Sequence, residues 1–473
     1  MSVKEKIVIL GGGVGGLAAG HFLARTGKYA VTVLEKAPVI GGLSGSFKHN
    51  GFVLDYGAHK IYSVIPGIME EIQSLMGDRL IQHPKRNRLY LGGTLVDYPL
   101  QLGNLARALG IRLFLRIGIG YAVSMFRGII DRKSPKSYEE YMLRQFGRPA
   151  YELVFEPLAD KVWGEPTSLH SNMAQTRMPP SSGLDIILKL LRLKKETEQT
   201  SAEFFLYPRK GFGDWPLALS ESIESHGGDV IVNVDDISLQ LNDRNITTVT
   251  ASIGADTKVF PTDYVISSIP LPVIGRMLFA DKDEGFNRMV ADLQFRHLIL
   301  VYLFVERHQV LQDHWIFFPE RELIFSRIFE QKRMSEELGP PQRTAICCDF
   351  TCNEDSLLWR TDDGELAEQC MLDLEKCGFI TTDEVTDFHV VRRRNFYPRY
   401  DLEYPDKLVE VNRKLQEVEN LMLTGRIGMY NYNNSDHCAD MGRFIAQNLA
   451  AGEPPGKIWR SLEQRVANYR IID

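Results

Sequence analysis

An α/β fold of two interleaved domains is what the sequence predicts, on three observations. Residues 6–36, KIVILGGGVGGLAAGHFLARTGKYAVTVLEK, run as apolar strand, glycine cluster, Ala/Leu-rich helix and a second strand ending on an acid. Segments of that same strand–helix type return twice later, separated by two long insertions. The chain has 473 residues, more than one hydrophobic core usually serves. The expected parts are a discontinuous Rossmann-like domain (1–100, 204–290 and 396–473) and an inserted α+β substrate domain (101–203 and 291–395).

Each element follows from local pattern. Residues 1–63 read as β-α-β, then a glycine-rich loop and the strand-like GFVLDYGAHKIYS. Residues 101–200 are mostly helical in period and end on LKLLRLKKETEQTS, a solvated helix end and loop. FFLYPRKGFGDWPLALSESIESHGGDVIVNVDDISLQL reads as loop, helix, Gly-Gly turn and strand. DYVISSIPLPVI is a buried strand stopped by prolines, and 291–395 alternates β-rich stretches (HLILVYLFV, RTAICCDF) with a helix near 364–376. NLMLTGRIGMYNYNNSDHCADMGRFIAQNLAAG closes the chain as strand, glycine turn, loop and helix.

A hydrophobic fraction of 44% with 25% charged residues is ordinary for a soluble enzyme. A net charge of -6 argues against a general nucleic-acid or anionic-membrane partner, so an anionic substrate needs local arginines. No secretory signal is visible, since the apolar IVIL is already the first strand. RLFLRIGIGYAVSMFRGII is interrupted by Arg112, Arg116 and Arg127. It reads as a buried or amphipathic helix, with peripheral membrane contact second and no integral segment. The six cysteines have neither zinc nor disulfide spacing, which predicts no metal site and fits a reducing cytoplasm.

Gly11, Gly13 and Gly16 fill G-x-G-x-x-G. The first permits a tight turn, the second lets the backbone approach a pyrophosphate, and the third allows close helix–strand packing. The helix start then offers unpaired N–H groups to phosphates. Glu35 stands where an acid accepts hydrogen bonds from the adenosine ribose. The context makes this a dinucleotide site rather than a merely glycine-rich turn.

A second glycine pair, Gly41–Gly42 in APVIGGLSGSF, resembles the FAD-specific extension of the amine oxidase and protoporphyrinogen oxidase superfamily. GGDVIVNVDDI resembles that superfamily's strand setting Val234 against adenine, and LTGRIG resembles its C-terminal segment reaching the flavin. The resemblance implies FAD, with Val14, Lys36, Leu43, Gly425, Arg426 and Asn434 among its contacts. Within the superfamily the chain resembles the UDP-galactopyranose mutases over nearly its whole length. DYGAHKIYS, LVDYPLQ, FEPLADKVWGEPTSLHSNMAQTR, HWIFFPERELIFSRIFEQKRM and GRIGMYNYNNSDH match five family motifs in order.

That likeness implies a substrate site from Tyr98, Gln101, Trp163, Arg177, Arg327, Tyr397 and Tyr432, supported by Arg426 and His59. Arginine's planar fork suits a diphosphate, although either Arg177 or Arg327 taken alone is more often a surface salt bridge. Trp163 reads almost as well as core packing, Tyr432 as a satisfied half-buried aromatic, and Asp436 as a helix cap. Leu100, Ala159 and Ser326 depart from the family's pocket residues, as does FYPRYDLEY. The implied function is isomerisation of a nucleotide-diphosphate sugar between pyranose and furanose forms, with N5 of the reduced flavin as nucleophile and none from the protein. The alternatives are a FAD-dependent oxidoreductase of the protoporphyrinogen oxidase, desaturase or amine oxidase type, and a FAD-binding protein without catalysis. The expected partner is a small-molecule substrate, with homodimerisation left open.

Overall fold

The structure, a computed structural model, describes residues 4–98, 102–130, 133–178, 203–279 and 283–471. An apolar run buried on both faces belongs at the centre of a parallel sheet. The strand Glu5–Leu10 sits there. The order across this five-stranded sheet is Leu421–Leu423, Tyr264–Ser267, Glu5–Leu10, Tyr29–Leu34 and Asp229–Ile231, every pair parallel. The helices Val14–Arg25 and Ser435–Ala450 pack on each other beside it. A three-stranded antiparallel sheet, 236–261, follows the last of its interleaved strands.

The second large unit is a seven-stranded sheet ordered Val385–Pro398, Phe295–Val305, Thr344–Cys352, Arg327–Glu330, Trp315–Phe317, Asn87–Leu91 and Thr94–Tyr98. Its two central strands are buried along their whole length, so both faces are covered. Strand alternation divides them. Ile299, Val301, Leu303, Ile346, Cys348 and Phe350 face the helix Asp363–Lys376. Leu298, Leu300, Tyr302, Phe304, Ala345 and Cys347 face the parallel-sheet side and join its core. The buried cysteines are therefore packing residues, all six cysteines are free, and no cluster suited to a metal occurs among the described residues.

Two local expectations differ from what is found, and a third is decided between its alternatives. The hairpin Asn87–Tyr98 pairs into the seven-stranded sheet through Asn87–Leu91 against Trp315–Phe317, although a boundary at residue 100 grouped it with the cofactor segments. Short strands carry no mark of a partner more than two hundred residues away. Phe204–Pro208, expected as loop, is a strand paired with Leu80–Pro84. For the helix Leu102–Ile130, broken at Gly110 where φ is 72°, the part beyond the break is exposed, which favours the amphipathic over the buried alternative. Only 6% of its most apolar window is covered, and Leu109–Arg127 is long and apolar enough to cross a membrane by length and composition. The expected solvated segment 188–201 lies outside the described residues.

Candidate active site

The C-terminal ends of the parallel strands open onto a cleft of about 620 Å³, a size typical of small-molecule sites. Gly11, Gly13, Val14, Glu35, Lys36, Gly41, Gly42, Leu43, Val234, Gly425, Arg426, Asn434 and His59 all line it. Gly16 does not. A Cβ there would fall 2.1 Å from the Gly11 carbonyl oxygen, so this glycine serves helix–strand contact. Gly13 is the opposite case, since a Cβ would meet nothing within 4 Å and would project into open cleft. The Val14–Arg25 helix has no side-chain cap, which leaves its first amides available for phosphate oxygens. The Gly41 N–H donates to the Gly12 carbonyl at 2.7 Å and ties the second glycine pair to the first.

The Glu35 carboxylate is held in place by two backbone donors, Gly12 N–H at 2.6 Å and Ala37 N–H at 2.7 Å. The Val234 N–H donates to the Glu35 carbonyl at 3.0 Å, which puts the buried Val234 side chain on the cleft wall just past the last strand. Asn434 caps the Ser435–Ala450 helix, with His437 Nδ1 accepting the Asn434 N–H at 3.1 Å. Asn434 and the pair Asp436–His437 are both cap candidates in the sequence, with capping the favoured role of Asp436, and the structure gives the cap to Asn434 with His437. A residue inside the first turn is already helical, whereas the cap residue must be extended, and Asn434 is.

Arg426 joins this cleft to a second cluster. Its Nε donates to the Asn433 carbonyl at 2.7 Å, and its guanidinium lies 5.3 Å from the Tyr397 ring and 5.7 Å from that of Phe396. No carboxylate pairs with it among the described residues. Tyr397 and Tyr432 have ring centroids 5.0 Å apart. The Arg177 Nη2 donates to the Tyr432 hydroxyl at 3.1 Å, and Arg177 lies 5.3 Å from the Trp163 ring. Trp163 is both core and cluster: it is buried and stands edge-on to Tyr432, while its indole N–H is unpartnered. Arg327 completes the group, held by Asp349 through Nε at 2.7 Å and Nη2 at 2.5 Å. Ser326 Oγ donates to the same carboxylate at 3.2 Å. Arg327 is thus an ion pair, but a half-buried one on a buried carboxylate.

These charges act together. Burial and the neighbouring Tyr432 raise the Tyr397 phenol, against the opposing pull of Arg327, Arg426 and Arg177. His59 is pushed down to about 3, by burial first and then by Arg426 and Arg327, so it is neutral at physiological pH. Its ring stacks on Phe212 at 4.5 Å and its Nδ1 has no partner. Beneath that loop Asp55 is buried and raised by desolvation, accepting from Ser46 at 2.6 Å, Phe212 N–H at 3.0 Å and the Tyr207 hydroxyl.

Of the residues expected to bind substrate, the structure brings Trp163, Arg177, Arg327, Tyr397 and Tyr432 together. Gln101 lies outside the described residues, as does the side chain of Tyr98. Sequence reasoning missed Arg392, Arg393, Arg394 and Asn395, which line the cleft. Arg393 Nη2 donates to the Gly42 carbonyl at 3.2 Å and its guanidinium covers the Tyr56 ring at 4.1 Å. Three consecutive arginines inside an extended stretch were the available signal.

The cleft fits FAD on structural grounds: open space over Gly13, free helix amides, a fixed ribose acceptor and an unpaired His59 nitrogen facing inward. Comparison with known proteins agrees. The family described as "Flavin containing amine oxidoreductase" matches residues 14–430. A solved structure of reduced UDP-galactopyranose mutase superimposes with a TM-score of 0.82 at 20% identity, covering 100% of this chain and 99% of that one. A putative protoporphyrinogen oxidase from Exiguobacterium sp. 255-15 gives 0.70 at 18% identity, covering 96% and 100%. Coproporphyrinogen III oxidase of Bacillus subtilis (strain 168) is 22% identical over 224 residues, 44% of this chain and 47% of that protein. All-trans-retinol 13,14-reductase of Homo sapiens is 44% identical over 68 residues, 14% and 10% respectively. The matches thus span about half or less of these curated relatives.

Proposed function

The chain belongs to the flavin containing amine oxidoreductase family, with FAD as its cofactor, and from that premise we propose that it isomerises a nucleotide-diphosphate sugar between ring forms. The observation that carries this reading is the convergence of Arg177, Arg327 and Arg426 on Tyr397 beside the cleft. An otherwise acidic protein that gathers three buried or half-buried guanidiniums is built for an anion, and planar forks suit a diphosphate. When bound, reduced FAD supplies the nucleophile for such a reaction, so the protein needs none.

The chain's own residues do the rest. Arg177, steadied by Tyr432, and Arg327, steadied by Asp349, hold the diphosphate and stabilise charge as it departs. Arg426 sits between that anion and the cleft, where its cation also favours negative charge on a reduced cofactor. The Tyr397–Tyr432–Trp163 wall excludes water. His59 moves no proton near neutral pH and packs the loop against the cofactor. Six free cysteines support a cytoplasmic setting.

A second reading, a FAD-dependent oxidoreductase with a less charged substrate, draws on one observation: Asp349 already neutralises Arg327. An anaerobic assay separates the two. Conversion of nucleotide sugars by dithionite-reduced but not by oxidised enzyme supports the isomerase. Substrate-dependent oxygen uptake by the oxidised enzyme, with no conversion after reduction, refutes it.

A further inference from the structure

The helix Leu102–Ile130 carries an apolar face that the fold leaves uncovered. Beyond the break at Gly110, Ile111 is 65% exposed, Leu115 54%, Ile119 67% and Phe126 72%. At roughly 100° per residue these four fall within an arc of roughly 80°. Arg112, Arg116 and Arg127, all exposed, lie together along one border of that arc. Leu113, Ile117, Tyr121 and Ser124 occupy the opposite side and turn toward the protein. Residues 98–130 contain no Asp or Glu, in a chain of net charge -6.

We infer that this face docks the enzyme on an anionic lipid surface, lying in the plane of the interface. An apolar arc bordered by arginines is the pattern of an interfacial helix, in which side chains enter the acyl boundary while guanidiniums reach lipid phosphates. The negative net charge does not oppose this, because screening limits its reach to about 8 Å at physiological ionic strength. Spanning is excluded by packing. Gly120 is so close to Pro149 that a Cβ would come within 2.4 Å of it, and Gly147 lies against the Gly120 carbonyl equally closely, at 2.4 Å. These contacts clamp the middle of the helix sideways against the Tyr138–Phe146 helix and the turn after it. A second copy is a poorer occupant, since two such faces would bring rows of arginines together with no acid on either helix to neutralise them. The inference is independent of the proposed reaction.

Flotation of purified holoenzyme with phosphatidylcholine vesicles, with and without phosphatidylglycerol, tests it. Wild type is expected to float with the anionic vesicles. The pair Ile119→Glu with Phe126→Glu should reduce partitioning at least about tenfold. The pair Arg112→Gln with Arg116→Gln should reduce it by about fivefold per arginine, an effect that high salt reproduces. Flavin content of both variants should match wild type, which separates lost docking from lost folding. Wild type that does not float, or a Glu pair that floats undiminished, would overturn the inference. So would a wild-type dimer in vesicle-free solution that the Glu pair makes monomeric, or wild type that resists alkaline carbonate extraction from membranes.

Discussion

The cleft and the arginine cluster that Arg426 joins to it, the two ends of the proposed site, are made of different material. At the glycine end the working groups are backbone amides, and the sequence there is small residues at fixed spacing around one strand and one helix. At the arginine end the working groups are side chains from the Asn172–Arg177 helix, the Arg327–Glu330 and Val385–Pro398 strands and the loop after Leu423. The first end is fixed by local chain geometry and the second only by tertiary packing. Disturbing the first should therefore affect cofactor and fold separably, and disturbing the second should affect charge balance.

The largest effect is expected at the glycines. Gly13→Val fills open cleft and should weaken FAD retention by more than about a hundredfold while leaving the apoprotein's thermal midpoint near wild type. Gly16→Val collides with the Gly11 carbonyl and should lower both. Equal behaviour of the two, by absorbance of the desalted protein and by calorimetry, would break the division drawn here.

At the other end, Arg327→Ala strands the buried Asp349 carboxylate and should cost about 3–5 kcal/mol in denaturant unfolding. Asp349→Asn also destabilises, yet it frees the Arg327 charge and should tighten diphosphate binding. Diphosphate binding unchanged in both Arg327→Ala and Asp349→Asn would mean that Arg327 is a structural ion pair only, and weakened binding in Asp349→Asn would mean that Asp349 serves to position the guanidinium.

Acid should unsettle the fold as a whole. Burial holds His21 at about 4, and His59 and His314 at about 3, all below the ordinary histidine value. The unfolded chain then binds more protons than the folded one below about pH 6.5, so stability falls as pH falls through that range. Near pH 5 these three rings contribute a slope of about 4 kcal/mol per pH unit, opposed by buried carboxyls such as Asp55 and Glu330, whose values burial raises and which favour the fold as pH falls. Proton NMR titration of the folded apoprotein in which the His21, His59 and His314 rings protonate at the ordinary histidine value would show that these rings are not held neutral.

How much was legible in the sequence follows the same division. Gly11, Gly13, Gly16 and Glu35 announce themselves because a turn, a close approach and a ribose acceptor each demand a residue type at a spacing, whereas Gly41 and Gly42 were recognised by resemblance. Arg177, Arg327 and Tyr432 became candidates only through family resemblance, since an isolated arginine carries no sign of what it will face. The Asp349 partner of Arg327 was missed, and so was the run Arg392–Arg394, whose exposure depends on how one edge strand meets the glycine loop. For the helix Leu102–Ile130 the sequence left the buried and amphipathic readings both open for a related reason: apolar content alone does not say whether protein or some other surface covers it.

The smallest expected effect is that of Tyr432→Phe, which removes the hydroxyl that Arg177 contacts at 3.1 Å and should weaken anion binding by about 1 kcal/mol, roughly fivefold. That the two ends form one continuous site is tested most directly by titrating the reduced holoenzyme with inorganic diphosphate while recording the flavin spectrum. A saturable change is expected, weakened in Arg177→Ala and in Arg426→Ala. A spectrum indifferent to diphosphate, or a response undiminished in both variants, would contradict it.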